Sequence, residues 1–162
     1  MLEIGKISYL LTEESDEIIS TLYSSLDEEK VTWDVLHIND KEAFLRQSLA
    51  EIESLMFCGA KTNPNQTLSF PRNGVINVPD DVKTAQAENA IAIMKERLKA
   101  RSDSQFKTLS SMGSMANVKY DRKKQDLGVV SMTAEAKATP KKMTSDRAYA
   151  MLRPYLGSFR IL

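Results

Sequence analysis

The feature that most constrains this fold is a dense series of turn-forming residues near the middle of the chain, between residues 59 and 79. The turn formers are Gly59, Asn63, Pro64, Asn65, Pro71, Asn73, Gly74 and Pro79. Neither a helix nor a long central strand tolerates this density, because proline removes backbone donors and glycine and asparagine favour turn conformations. We therefore expect an ordered loop here, with regular elements on either side.

Two amphipathic helices are predicted before this loop. The first runs from Thr12, as the N-cap, to Leu26, and its buried stripe is Ile18, Ile19, Leu22 and Leu26. The second begins at Asn39, which forms a capping-box pattern with Glu42, and ends at Cys58-Gly59. Its apolar face carries Leu45, Leu49, Ile52 and Met56 at helical spacing. Trp33 and His37 lie in the expected connector.

Two more helices are predicted after the loop. Pro79 suits the first position of a third helix that runs to about Lys99, with Ala87, Ala90, Ile91, Met94 and Leu98 along one face. The last helix is capped by Thr144 or Ser145 and carries Ala148, Met151, Leu152 and Tyr155, and Pro154 should kink or end it. Between them, Val118 to Arg122 and Leu127 to Met132 resemble strands of a hairpin.

These elements predict a mainly α fold, a small bundle of three core helices plus a C-terminal helix, with a long loop and a minor β-hairpin or extended arm. We expect a helical core domain over residues 1–99 that includes the loop at 59–79. Residues 100–143 should form an extended or hairpin basic segment. Residues 144–162 should form a C-terminal helix and a tail for docking.

The charge is distributed unevenly between the two ends of the chain. Residues 1–60 carry 13 acidic and 4 basic residues, whereas residues 61–162 carry 9 and 18, which gives −9 and +9. The segment 117–142 alone has seven basic and three acidic residues. Such asymmetry can hold one protomer against another or turn a basic surface toward nucleic acid. The alternative is that solvated helices merely differ in charge.

Several functional classes are disfavoured by the sequence. The longest apolar run, Ala90 to Met94, is far shorter than the roughly 20 residues of a membrane span, and the first residues do not resemble a signal peptide. A single cysteine and a single histidine form no metal-ligand cluster, and no phosphate loop or nucleophile elbow occurs. We therefore expect no enzyme, cofactor, metal or membrane partner, a structural role for His37, and a small apolar filler at Cys58.

Several short motifs resemble one family closely. They are Asp40-Lys41-Glu42-Ala43, Gly59-Ala60-Lys61, Gln66-Thr67-Leu68-Ser69-Phe70-Pro71-Arg72, Val78-Pro79 with Val82-Lys83 and Glu88, and Leu152-Arg153-Pro154-Tyr155-Leu156. Tyr9 and Trp33 stand at matching places before the second helix. This pattern resembles the phage head-tail adaptor (head completion) family, some members of which are labelled DnaT-like single-stranded-DNA-binding proteins.

The resemblance implies a structural virion protein at the neck of the phage, made in the host cytoplasm. It would form a homo-oligomeric, dodecameric ring that binds the portal protein and joins it to the tail or to a tail-terminator or nozzle protein. DNA would pass through the lumen without sequence-specific binding. The candidate interface residues are Phe70, Arg72, Arg122, Lys123, Lys124, Arg153, Tyr155 and Phe159.

Three alternatives remain open on the sequence alone. Phe70-Pro71-Arg72 either contacts a neighbouring subunit or only fastens the long loop to its own domain, since an arginine fork suits a carboxylate or a backbone carbonyl. The whole chain could instead bind single-stranded DNA, with residues 117–142 as the basic surface and Tyr120 as a stacking platform. It could also be a small regulatory helical domain that dimerises or binds a host protein.

Overall fold

A computed structural model describes residue 2, residues 7–116 and residues 143–157 of the chain. Five α-helices follow one another in these ranges: α1 (Thr12–Leu22), α2 (Glu28–Val35), α3 (Ile38–Glu53), α4 (Asp80–Ala116) and α5 (Asp146–Leu152). A 3₁₀ turn, Arg153–Tyr155, follows α5 directly. The described residues contain no strand, only two isolated antiparallel bridges, which confirms the mainly α helical bundle.

The chain divides into two compact units, residues 1–95 together with 142–162, and residues 96–141. The second unit is described only over residues 96–116, the last part of α4. The predicted hairpin strands at Val118–Arg122 and Leu127–Met132 lie outside the described residues. None of the helices in the described part of the chain is both long and apolar enough to cross a membrane.

The first predicted helix is wrong in its length. It ends at Leu22, and Leu26 is 90% exposed rather than part of the buried stripe. The side chain of Asp27 accepts a hydrogen bond from the backbone N–H of Ser24 at 2.7 Å, and Ser24 Oγ accepts one from Leu26 N at 3.3 Å. Such side-chain bonds compete with helical ones and form a turn, after which α2 begins.

Helix α2 lies where a connector was expected, and Trp33 holds it in place. The Trp33 indole N–H donates to Asp16 Oδ1 of α1 at 2.7 Å, and Lys41 of α3 forms an ion pair with the same carboxylate at 3.0 Å. The Trp33 side chain is fully buried. One carboxylate on α1 thus joins α2 and α3, and the tertiary contact stabilises a helix of only eight residues.

Helices α3 and α4 supply the centre of the core. Leu45, Leu49 and Ile52 of α3 are buried as predicted. The N-cap, however, is His37, two residues before the predicted Asn39, and its Nδ1 accepts from Asn39 N. Met56 lies beyond the end of α3 and is exposed, which corrects its assignment to the stripe.

Helix α4 is much longer than predicted, since it continues past Lys99 to Ala116. Up to residue 103, where the structure describes the side chains of α4, the last buried one is Met94, whereas Leu98 in the second unit is exposed and was wrongly assigned to the stripe. Helical spacing alone does not specify burial, because a stripe is buried only where other side chains face it.

Two buried amide side chains on α4 hold the N-terminal and C-terminal segments of the first unit to this helix. Gln86 Oε1 accepts from Tyr9 N at 3.1 Å, and Gln86 Nε2 donates to Ser8 Oγ and to Leu45 O, each at 3.0 Å. Asn89 Oδ1 accepts from Ser145 N at 2.8 Å, while its Nδ2 donates to Glu51 at 2.9 Å. Both amides are fully buried, so these bonds fix the register of the segments around α4.

The C-terminal helix begins as predicted. Ser145 is its N-cap, and Ser145 Oγ accepts from Ala148 N at 3.1 Å. Just before it, Thr144 donates through its backbone N–H and its hydroxyl to Glu51, each at 2.9 Å. The α-helix ends at Leu152, where Pro154 leaves room only for the 3₁₀ turn.

Candidate functional site

Phe70, which is almost completely buried, holds the loop between α3 and α4 to the rest of the first unit. Its ring makes edge-to-face contacts with Phe57, Tyr155 and Tyr9, at centroid distances of 4.8, 5.4 and 6.0 Å. These partners come from the N-terminal segment, the loop itself and the C-terminal turn. Phe70 therefore joins three distant parts of the chain in one aromatic cluster.

The guanidinium of Arg72 faces backbone carbonyls of its own chain. It donates from Nε to Cys58 O at 2.8 Å, from Nη1 to Ser69 O and from Nη2 to Phe57 O, both at 3.2 Å. Nη2 also donates to Gly59 O. This arrangement supports the alternative in which Phe70-Pro71-Arg72 fastens the loop to its own domain, and a further contact of Arg72 with a neighbouring subunit stays a prediction.

The rest of the motif stabilises the loop from within. Gln66 Nε2 donates to Leu68 O and Pro71 O, both at 2.9 Å, and Lys61 Nζ donates to Gln66 O and Thr67 O. A bridge pairs Lys61 with Arg72. The turn-rich composition thus produces an ordered loop whose polar groups bond to one another.

The close approach of Gly59 to Asn73 explains why glycine stands at the start of the loop. Gly59 has φ +78°, and a Cβ at this position would lie 1.9 Å from Asn73 Oδ1. Asn73 itself has φ +58° and donates from its backbone N–H to Ala60 O at 2.9 Å. A side chain at position 59 would both strain the backbone and displace this contact.

Cys58, expected to fill an apolar gap, is exposed. The backbone of Cys58 makes two hydrogen bonds within the fold. Its N–H donates to Tyr155 O at 2.8 Å, and its carbonyl accepts from Arg72. The expectation rested on the usual burial of cysteine and did not anticipate that backbone contacts would orient the side chain outward.

A buried hydroxyl and a carboxylate connect the loop to α3. The Tyr9 hydroxyl donates to Glu53 Oε1 and accepts from Phe70 N at 3.3 Å. Glu53 Oε2 also accepts from the backbone N–H and the hydroxyl of Ser69, at 3.0 and 2.8 Å. Burial and then the hydrogen bond to Glu53 raise the pKa of Tyr9 well above its usual range.

A second tyrosine is in a similar state. The Tyr23 hydroxyl donates to Glu88 Oε2 at 2.8 Å, and burial together with this carboxylate raises the pKa of Tyr23. Both tyrosines are therefore neutral in the folded chain at pH values where they ionise in the unfolded chain.

This difference predicts loss of stability at alkaline pH. A raised folded-state pKa contributes stability that is fully present below the unfolded value, about 10, and declines as the pH rises above it. Urea unfolding between pH 8 and pH 11 should show this decline, and Tyr9→Phe should make it shallower. An equally steep decline in Tyr9→Phe would show that Tyr9 does not contribute to it.

The remaining predicted interface residues have different positions. Arg153 is exposed, whereas Tyr155 is half-buried, packs on Phe70 and donates to Asp81 at 3.4 Å. Arg122, Lys123, Lys124 and Phe159 lie outside the described residues. The structure therefore brings Phe70, Arg72 and Tyr155 together at the base of the loop.

The character of the exposed apolar side chains is informative about partners. All eight aromatic side chains in residues 7–103 and 143–157 are buried or half-buried. The large hydrophobic side chains that are exposed in these ranges are aliphatic: Ile7, Leu26, Val31, Val35, Ile38, Met56, Val75, Ile76 and Leu98. Three of these nine, Leu26, Met56 and Leu98, had been assigned to the core because they stand at helical spacing from buried residues.

Comparison with known proteins gives one family. No curated protein and no solved structure matches the chain. One family model matches residues 8–161, nearly the whole chain, and the family is described as "Putative DnaT-like ssDNA binding protein". The match includes the aromatic cluster, the loop and the C-terminal helix. The chain therefore belongs to this DnaT-like family.

Proposed function

We propose that this chain is an adaptor subunit of a phage neck, which forms a ring beneath the portal and joins it to the tail. The observation that carries this proposal is the aliphatic character of the exposed apolar side chains in the described residues. Exposed aliphatic side chains suit protein contacts, whereas single-strand binding relies on aromatic side chains that stack on bases. The motifs from Asp40 to Leu156 that resemble the head-tail adaptor family support the same reading.

The charge of the first helices is also consistent with a protein partner. Residues 7–40 contain nine acidic residues and one lysine, and three of these carboxylates pair with Lys41, Lys83 and Lys95, which leaves the region net acidic. Such a surface repels a polyanion, which is useful in a ring whose lumen must let DNA slide without binding it. The basic residues Arg122, Lys123 and Lys124 would then pair with carboxylates of another subunit or of the portal.

The family description favours a second candidate, single-stranded-DNA binding. Its surface would be the basic segment 117–142 with Tyr120 as the stacking residue. Against it, a strand-tracking surface usually combines several aromatics with a basic groove. The two candidates differ in which ligand the chain retains at physiological salt.

Charge reversal in the basic segment tests the adaptor proposal. The wild-type chain should be retained by the purified portal ring of the same phage, and Lys123→Glu with Lys124→Glu should reduce this retention at least several-fold, because repulsion replaces attraction. The matched control is Lys99→Glu with Lys107→Glu, which changes the net charge equally and should bind as wild type.

The same preparations are then offered a labelled single-stranded oligonucleotide. Retention of the oligonucleotide by the wild-type chain, with a steep salt dependence and with no retention by the portal ring, would reject the adaptor proposal in favour of the second candidate.

A further inference from the structure

Two groups of exposed aliphatic side chains lie in the first unit. The α2 patch consists of Leu26, Val31, Val35 and Ile38. Val31 and Val35 are one helical turn apart, on the face of α2 opposite the buried Trp33, and Val35 is 79% exposed. A helix that buries one face and presents aliphatic residues on the other has a surface suited to a second protein.

The loop patch consists of Met56, Val75 and Ile76, and Ile76 is 85% exposed. The backbone around it is fixed: Val75 N donates to Arg72 O at 3.1 Å, and Thr62 Oγ1 donates to Val75 O at 2.9 Å. These aliphatic side chains are therefore presented by an ordered turn, so that docking them costs little conformational entropy.

The two patches lie in stretches of the chain with opposite net charge. Asp27, Glu28 and Asp40 are exposed beside the α2 patch, whereas Asp34 forms an ion pair with Lys30. In contrast, residues 54–79, which include the loop patch, contain Lys61 and Arg72 and no acidic residue. The α2 patch thus lies in an acidic stretch of the chain, and the loop patch lies in a weakly basic stretch that ends before Asp80 and Asp81, as expected for surfaces that attract each other.

The distance between the α2 patch and the loop patch favours contact between two copies of the chain rather than within one copy. Ile38 is the first residue of α3, and Met56 follows the last residue, Glu53, by three positions. A helix of 16 residues is roughly 24 Å long. Ile38 and Met56 therefore lie near opposite ends of α3, so that each copy can offer one patch to each of two neighbours.

A cleft lies beside the α2 patch. It has a volume of about 150 Å³ and is lined by Thr12, Glu13, Asp16, Leu36, Ile38 and Lys41. Ile38 belongs to both the cleft and the patch. The cleft is large enough to receive a side chain of a partner next to the aliphatic surface.

We infer that the α2 patch of one copy binds the loop patch of the next copy. This is a heterologous contact, in which two different surfaces meet, and such contacts generate closed rings when the rotation between copies closes. The closure of these contacts into a ring rests on the proposed function. The contact itself is assigned to residues on α2 and on the loop.

Complementation between two single variants tests this contact. Val35→Glu disables the α2 patch, and Ile76→Glu disables the loop patch. Sedimentation velocity of the wild-type chain over rising concentration should show association beyond a dimer. Each variant alone should remain monomeric, whereas an equimolar mixture should form a dimer and stop there, because each variant retains the surface that the other lacks.

Leu98→Glu is the matched control, since it adds the same charge at an exposed leucine outside both patches, and it should associate as the wild type does. Circular dichroism and thermal unfolding should show that all variants fold. A wild-type chain that stays monomeric up to its solubility limit overturns the inference. So does self-association of Ile76→Glu alone, which indicates a symmetric contact between two α2 patches.

The outcome is separable from that of the adaptor proposal. If the wild-type chain binds the portal ring but the two variants behave as wild type in the mixture experiment, the adaptor role stands and this contact is wrong. If the complementation occurs but the portal ring retains no chain, the contact stands and the adaptor role is wrong.

Discussion

Phe70→Ala is expected to lower the free energy of unfolding by about 3–5 kcal/mol, the range typical of a buried phenylalanine truncated to alanine. The loss should lie near the upper end, because the ring touches Tyr9, Phe57 and Tyr155 and these side chains come from separate segments. A domain has only about 5–15 kcal/mol of stability in total, so this single change should make the fold marginal.

Urea unfolding followed by circular dichroism measures this effect. Phe70→Leu is the matched variant, since it keeps most of the apolar volume and should lose far less stability than alanine does. Val75→Ala, at an exposed position of the same loop, should be nearly neutral. If Phe70→Ala were as stable as Val75→Ala, the aromatic cluster would not hold the loop to the helices.

Gln86→Met should also be strongly destabilising, by about 3 kcal/mol, although methionine has a similar size and a good helix propensity. The change removes the hydrogen bonds to Tyr9 N, Ser8 Oγ and Leu45 O. It leaves the Tyr9 N–H in a buried place where water cannot replace the lost acceptor.

The comparison is with Gln47→Met on α3, where the side chain is half-buried and water can reach the groups that it leaves. Chemical denaturation of both variants separates the cost of the buried amide from that of the substitution itself. Equal stability of the two variants would mean that the contacts of Gln86 do not determine how the N-terminal segment binds to α4.

The regular elements were predictable to the extent that their signals are local. Periodic apolar residues identified α3 and α4, and a cap at Thr144 or Ser145 identified the start of α5. Helix α2 was missed because eight residues with three β-branched side chains have a weak intrinsic preference, and its stability comes from Trp33 bonding to Asp16, 17 positions away.

The site was predictable in part. The loop and its motif were recognised, and so was the ability of Arg72 to bind carbonyls. The partners of the motif were not, because Tyr9 and Phe70 are 61 positions apart and Tyr9 and Glu53 are 44 apart. A local sequence pattern does not indicate which residues so far apart will be in contact. The exposed patches on α2 and on the loop could not be predicted either, because they depend on which apolar side chains are left uncovered by the rest of the fold.

The Phe70-Pro71-Arg72 motif and the exposed aliphatic side chains have different roles. Phe70 and Arg72 are occupied within the chain, which leaves the exposed aliphatic side chains of the first unit for a partner. In the adaptor account, the motif makes the subunit rigid and these aliphatic residues make the ring. A rigid subunit keeps its two patches in a fixed relation, which ring closure requires.

The most direct measurement is electron microscopy of the purified chain mixed with the portal ring of the same phage at physiological salt. The adaptor account predicts a second ring of this chain stacked on the narrow end of the portal, with adjacent copies in heterologous contact. Portal rings that carry no added density, in a buffer where the chain retains single-stranded DNA, would contradict it.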